Sequence, residues 1–307
     1  MKTFDPKILK KLYRPPADSH KGQNGKLLII GGSKLFHAAS LWSLKVASRI
    51  VDMVFYSSIP ENNQIVQKVW QSQISLRKTK QEFRDGIVVP RNKIEDYINE
   101  ANCILIGPGL PRKEGQEEGD DDTKDLTEKL LKKFPNKKWV IDGGSLQEMD
   151  PEILLELKTV PILTPHRKEF ETLISKIKNK ILKAQIKNKK LEEQVQIFAE
   201  EYNCVVLLKG EYDIVCGSFD SLPLAQDEIR CNRISGGNAG MTKGGTGDVL
   251  AGLVAALYCK NEAFISACAA SYVNKKAGDS LYKKAGYYFN SSDLVDEIPK
   301  VMRKLLQ

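Results

Sequence analysis

Ser235-Gly236-Gly237-Asn238-Ala239-Gly240-Met241-Thr242-Lys243-Gly244-Gly245-Thr246-Gly247-Asp248 runs directly into the apolar stretch Val249–Tyr258. Six glycines in fourteen residues ahead of a helical run form a loop that delivers the chain into a helix. Glycine lets the backbone turn through positive φ and approach a ligand closely. The first N–H groups of a helix have no partner within it, and together with the helix dipole they seat an anion. The loop is not a P-loop, because Gly-x-x-x-x-Gly-Lys-Ser/Thr occurs nowhere in the chain, and no Gly-x-Gly-x-x-Gly dinucleotide fingerprint occurs either. Asp248 has two readings at this place. It is a favoured helix cap, although Thr246 or Gly247 can cap as well. It is also a carboxylate able to take the proton of a hydroxyl that attacks a phosphate, while the glycine loop stabilises the transferring group. Gly247 is expected where the backbone meets that phosphate, in a conformation that a β-branched side chain cannot adopt.

Upstream of this loop the chain alternates short apolar runs with helical patterns. Strands are predicted at Lys26–Ile30, Met53–Tyr56, Cys103–Ile106, Trp139–Ile141, Val160–Leu163 and Cys204–Leu208, with a hairpin pair at Tyr212–Cys216 and Glu228–Arg233. Helices are predicted at Ala38–Val51, Ile94–Ala101, Leu126–Phe134, Glu152–Leu157, Leu191–Tyr202, Ala263–Ala277 and Asp293–Leu306. Such alternation signifies βαβ units around a mostly parallel sheet covered on both faces. Residues 1–25 read as an N-terminal lead-in and 26–307 as one domain. Ligands of such sheets bind beyond the C-terminal strand ends. The candidate positions are therefore Gly31–Ser33, Gly107–Gly109, Asp142, Thr164–His166, Lys209-Gly210 and the glycine loop.

Composition narrows the function classes. The net charge of +8 is concentrated partly in Lys176–Lys190, where seven lysines alternate with Ile177, Ile181, Leu182 and Ile186. The pattern predicts a solvated amphipathic helix, and with no aromatic interleaved it is not a base-stacking surface. Glu114–Asp122, with six acids, reads as a solvated loop. Neither nucleic acid nor membrane is expected as a partner, since the longest apolar run is far short of a span. The six cysteines (103, 204, 216, 231, 259, 268) contain no Cys-x-x-Cys pair and are expected as small buried side chains in a reducing cytoplasm.

Gly244-Gly245-Thr246-Gly247-Asp248 resembles the anion hole and base of the ribokinase-like superfamily. The longer string from Gly237-Asn238-Ala239-Gly240-Met241 through Leu250-Ala251-Gly252 is similar to the ADP- or ATP-dependent NAD(P)H-hydrate dehydratases. Gly31-Gly32-Ser33, Phe36-His37, Ile106-Gly107-Pro108-Gly109-Leu110, Thr164-Pro165-His166 with Glu169, and Lys209-Gly210 agree in order, as does Asp293-Leu294 through Val301. The resemblance spans about residues 20 to 307. It implies a three-layer α/β/α sandwich and a repair reaction. The C6 hydroxyl of the S form of hydrated NADH or NADPH is phosphorylated from ADP or ATP, and phosphate is eliminated. Asp248 would be the base, and Gly245, Thr246 and Gly247 would hold the transferring phosphate. Ala39, Gly109, His166 and Asp248 would contact the hydrated cofactor. Lys209, Gly210, Glu211, Tyr212, Asp213 and Gly247 would contact the adenine nucleotide, with Asn238 at a phosphate or sugar or else only a turn residue. Glu169 would support His166, or a Mg²⁺ through water, or stand in solvent. His166 and Lys209 also read as a backbone-satisfied histidine and a solvated strand-end lysine.

The sequence departs from the family pattern at Ala38, where glycine is usual, and at Gly144, where a second aspartate is usual. It departs again at Arg49-Ile50-Val51-Asp52, which replaces a glycine-rich stretch, and at 176–190, which looks inserted. No epimerase domain is expected in the chain, so the R-hydrate would depend on a separate epimerase or on spontaneous conversion. Family members are often tetramers. The competing reading is a ribokinase-like small-molecule kinase, which shares the Gly-Thr-Gly-Asp chemistry.

Overall fold

The computed structural model describes residues 1–66, 86–217 and 230–306. Ten strands form one sheet: β1 (Lys2–Thr3), β2 (Lys26–Ile30), β3 (Met53–Ser57), β4 (Ile87–Val88), β5 (Cys103–Ile106), β6 (Lys138–Ile141), β7 (Ile162–Leu163), β8 (Val205–Leu208), β9 (Asp213–Gly217) and β10 (Arg230–Ile234). Their spatial order is β1-β10-β9-β8-β7-β6-β5-β2-β3-β4. All neighbours are parallel except β8–β9 and β9–β10. Leu27, Leu28, Ile29 and Ile30 are all fully buried, because side chains pointing to either face of this sheet meet helices. The two faces carry two separate apolar cores, with Leu27 and Ile29 in one and Leu28 and Ile30 in the other.

Helices among the described residues include α1 (His37–Ala47), α2 (Ile94–Glu100), α3 (Thr123–Lys133), α4 (Gly143–Glu148), α5 (Arg167–Lys176), α6 (Lys180–Lys187), α7 (Leu191–Glu201), α8 (Thr246–Tyr258), α9 (Ala263–Ala285) and α10 (Ser291–Leu306). Helices α1, α8, α9 and α10 cover one face, and α2 to α7 cover the other. Helix α8 is apolar around its whole circumference because it lies between the sheet and its neighbours. Its Gly252 lets α1 approach so closely that a Cβ there would lie 2.6 Å from the Ser43 Cα.

Several expectations change. The lead-in 1–25 contributes an edge strand and buries Phe4, Leu9 and Leu12 in the α8–α9 core. The expected helix at Glu152–Leu157 is a 3-10 turn, Pro151–Glu156. Gly143–Glu148, not expected as helix, is one. The basic stretch 176–190 is not one helix: α5 ends at Lys176, and only the two turns of α6 follow. Leu182 and Ile186 are buried there, whereas Ile181 is 80% exposed, because two short turns can present only a narrow apolar stripe. Residues 228 and 229 of the expected last strand lie outside the described residues. Cys103, Cys204, Cys259 and Cys268 are free and buried as expected. Cys216 and Cys231, however, form a disulfide, since β9 and β10 pair them directly opposite each other with Cα atoms 4.2 Å apart. Among the described residues no helix is long and apolar enough to cross a membrane.

Chain order reverses beside β2, whose neighbours are β3 on one side and β5 on the other. That switch point and the adjoining ends of β6, β7 and β8 carry the candidate residues.

Candidate active site

The glycine loop enters α8 through Gly245, which has φ of +93° and caps the helix without a side chain. A Cβ at Gly245 would stand 2.4 Å from the Trp42 Nε1 and 2.6 Å from the Ser291 Oγ, so only glycine fits. Gly247, expected to hold the strained conformation, lies within the first turn without a positive φ, and a Cβ there would meet only Lys209 Nζ at 3.5 Å. The strain therefore belongs to Gly245, because the reversal into the helix is made before the first helical residue. The Thr246 hydroxyl is spent on the loop: it lies 2.7 Å from the Met241 carbonyl and 2.9 Å from that of Lys243.

Asp248 sits in the first turn, three residues after the N-cap Gly245. Its backbone carbonyl accepts a hydrogen bond from Ser43 Oγ (2.8 Å), which fixes the turn against α1. Burial, reinforced by the charges of Asp142 and Glu169 and opposed by Lys209, pushes its carboxyl up to about 7. That value suits a group that must take a proton near neutral pH.

Lys209, at the end of β8, ties the strand ends together. Its Nζ donates to Asp142 Oδ1 (2.9 Å), which also accepts from Thr164 Oγ1 (2.7 Å), and Glu169 Oε2 lies 3.9 Å away. Burial alone would lower the lysine pKa, but the carboxylates of Asp142, Glu169 and Asp248 outweigh it and the net shift is upward. Lys209 is therefore a fixed cation beside the α8 N-terminus.

His166 caps α5. Its Nδ1 accepts from the Glu169 N–H (3.2 Å), and Glu169 Oε2 accepts from the His166 N–H (2.8 Å). The imidazole remains half exposed. Glu169 Oε1 also accepts from Gln147 Nε2 (3.0 Å). Both Glu169 oxygens are thus engaged, Asp142 Oδ1 is held by Thr164 and Lys209, and among the described residues no three metal-ligating side chains converge. The residues present do not fit a protein-held Mg²⁺.

A cavity of about 740 Å³ opens beside these groups, lined by His166, Lys209, Gly210, Glu211, Asp213, Asn238, Thr246 and Gly247 among others. Within 209–213 the side chains differ in direction. Asp213 is buried, accepting from Gly210 N–H (3.0 Å), Ser271 Oγ (2.7 Å) and Lys275 Nζ (3.2 Å), so it shapes the wall. Tyr212 turns away, its ring 3.6 Å beneath the Arg233 guanidinium and its hydroxyl on Glu192. The Asn238 amide is spent on Gly240 N–H and the Gly278 carbonyl (3.0 and 2.9 Å). Ala39 and Gly109 meet each other at the switch point rather than lining this cavity. Gly109 has φ of +73°, and a Cβ there would stand 3.0 Å from that of Ala39. Helix α1 bridges the two regions, since it carries Ala39 as well as Trp42 and Ser43.

The Gly144 departure has a steric cause: a Cβ there would lie 2.2 Å from the Leu110 carbonyl oxygen. The sequence reading picked out Asp142 only as a strand end, and it missed Asn274 and Lys275, which line the cavity from the middle of α9. No motif marks those two, since they stand in an otherwise ordinary helical pattern.

Residues 27–300 match the family model described as NAD(P)H-hydrate dehydratase. The chain is 33% identical over 299 residues to the bifunctional NAD(P)H-hydrate repair enzyme Nnr of Methanocaldococcus jannaschii, covering 96% of this chain and 51% of that protein. It is 32% identical over 310 residues to the ADP-dependent (S)-NAD(P)H-hydrate dehydratase of Nitrosopumilus maritimus, covering 98% and 97%. The chain thus spans about half the length of the bifunctional relatives it matches. Its fold resembles a ribokinase-like superfamily protein from Enterococcus faecalis (TM-score 0.73, 22% identity, 100% and 96% covered). It also resembles the ADP/ATP-dependent NAD(P)H-hydrate dehydratase of Bacillus subtilis co-crystallised with ATP/Mg²⁺ (TM-score 0.70, 19% identity, 99% and 98% covered). The fold is ribokinase-like, and the chain belongs to the NAD(P)H-hydrate dehydratase family.

Proposed function

We propose that the protein dehydrates the S form of hydrated NADH or NADPH at the expense of an adenine nucleotide. The observation that carries the reading is the placement of Asp248: a half-buried carboxylate, with its pKa at about 7, in the first turn of α8 and beside Lys209. Asp248 takes the proton of the C6 hydroxyl as the oxygen attacks the terminal phosphorus of ADP or ATP. The new O–P bond forms as the bond to the leaving nucleotide breaks. The N–H groups of the first turn around Gly245–Gly247 and the Lys209 cation stabilise the spreading charge. Phosphate then leaves C6 with the bonding pair, driven by the ring nitrogen, and loss of a C5 proton restores the dihydronicotinamide.

On this reading, His166 meets the hydrated cofactor from one side and Ala39 and Gly109 bound it at the switch point. The backbone of 209–211 bounds the nucleotide, with Asp213 acting indirectly by shaping that loop. Mg²⁺ would enter with the nucleotide phosphates as part of the substrate, since it usually keeps waters and substrate oxygens as ligands. The reaction would run in the cytoplasm, and the R-hydrate would first need an epimerase or spontaneous inversion.

The test is to incubate the protein with hydrated NADH and ADP or ATP and to follow the near-ultraviolet absorbance of the dihydronicotinamide. Its return, with release of inorganic phosphate, is the expected result. A stable phosphoester without that return would instead identify a small-molecule kinase.

A further inference from the structure

Two glycines in succession, Gly244 and Gly245, deliver the loop into α8. A Cβ at Gly244 would meet no atom within 4 Å, so no neighbour restrains that side of the residue. A peptide between two glycines turns over at little cost, because neither residue has a Cβ to restrict it. The peptide unit is planar and trans, with the Gly244 carbonyl on one edge and the Gly245 N–H on the other. A group that fixes the carbonyl therefore aims the N–H.

Ser291 supplies that group. Its Oγ donates to the Gly244 carbonyl at 2.7 Å. The side chain is buried and lies against Gly245, where a Cβ would stand 2.6 Å from the same oxygen. A serine at the start of a helix ordinarily serves the helix end, but α10 is capped by the residue before it. Asn290 Oδ1 accepts from the Ser292 and Asp293 N–H groups (2.8 and 3.2 Å), and Asp293 Oδ2 accepts from the Asn290 N–H (2.8 Å). The Ser291 hydroxyl is thus given to the glycine loop and not to its own helix. The same turn holds the loop at two further points. The Tyr287 carbonyl accepts from Lys243 Nζ, and a Cβ at Gly240 would stand 2.5 Å from the Phe289 ring.

We infer that Ser291 is a positioning residue, which holds the Gly244 carbonyl and so keeps the Gly245 N–H turned toward the phosphoryl group in transfer. This rests on the proposed function, because that reading makes the N–H groups around Gly245–Gly247 the seat of the phosphate. Ser291 acts through Gly245 and not on the substrate. A donor aimed at charge that develops during transfer lowers the barrier more than it tightens the ground state, so the effect of Ser291 falls on kcat and not on KM.

The experiment replaces Ser291 by alanine and measures kcat and both KM values for hydrated NADH with ADP or ATP, beside the unfolding midpoint. Ser291→Cys, nearer in volume and a weak donor, serves should the alanine variant not fold. Turnover should fall by about ten-fold or more, between the net strength of one hydrogen bond and the outright loss of an oxyanion donor. Both KM values should stay within about two-fold of wild type. The pH midpoint of turnover should not move, because Asp248 keeps its charged neighbours Asp142, Glu169 and Lys209. An unchanged kcat in a folded variant overturns the inference and leaves the proposed function standing. So does a loss shared by kcat and both KM values with a displaced pH midpoint, and so does failure of both variants to fold, which would assign the hydroxyl to the fold. A wild-type protein that does not restore NADH would sink the proposed function and this inference with it.

Discussion

Asp248 is where chemistry and stability oppose each other. Its carboxyl titrates at about 7 in the folded protein against an ordinary value of 3.8, because burial and the neighbouring Asp142 and Glu169 disfavour its charge. Between these values the folded chain holds a proton that the unfolded chain has released, so stability falls as pH rises through this window. Asp248→Asn removes that penalty. The variant should melt at a higher temperature than wild type near about pH 8, with the gain shrinking toward about pH 4. It should also lose about 10² to 10⁴ in turnover while binding nucleotide normally. In wild type, turnover should climb with pH through about 7 as the base ionises. A pH-independent rate, or an active Asn variant, would remove Asp248 from the mechanism. The placement of Asp248 in the first turn of α8 was legible because the glycine loop and the helix are contiguous in sequence. The contact of Asp142 with Lys209 was not, because Lys209, 67 residues further on, reaches it only when β6 and β8 both end at the same rim.

At the scale of elements, the loop-to-helix junction separates two glycines that look alike in sequence. Gly245→Ala must place a side chain at φ +93° and against Trp42, and it should cost about 1–3 kcal/mol of stability in a denaturant titration. Gly247→Ala has room and a helical backbone, so its stability should stay within about 1 kcal/mol of wild type. Any loss of activity in Gly247→Ala would then come from the seat for phosphate. Helix α6 offers a contrasting case. Lys180, Lys187, Lys189 and Lys190 are exposed on or beside it. Changing all four to Gln should leave KM for the hydrated cofactor unchanged at moderate salt, since exposed charges are screened within about 8–10 Å. A several-fold rise would place this basic element over the ligand. Strand positions were readable because runs such as Leu27–Ile30 are apolar on both faces. The 3-10 turn at Pro151–Glu156 was not, because one turn of apolar spacing looks the same for both helix types.

Across the whole molecule, the sheet is wider than its βαβ core, since the antiparallel β9–β10 pair and then β1 extend one edge. Leu9 is 2% exposed in the core beneath α9, and Leu9→Ala should cost about 2–5 kcal/mol, measured as a shifted unfolding midpoint with the slope unchanged. A surface-like cost below about 0.5 kcal/mol would show that 1–25 does not share the global unfolding unit. The fold class followed from alternation and glycine punctuation. The role of the first residues did not, because a two-residue strand leaves no periodicity to detect and its partner lies near the far end of the chain.

The pairing of Lys2–Thr3 with Asn232–Arg233 also sets an order of events during synthesis. Residues 2–12 leave the ribosome long before the strand that shelters them, and Phe4, Leu9 and Leu12 have no complete apolar seat until α8 and α9 emerge. Translation at about 5–20 residues per second leaves those side chains in solvent for many seconds, open to chaperones and proteases. Nascent chains arrested before β10 should be cleaved readily within the first dozen residues, and those released after α9 should resist.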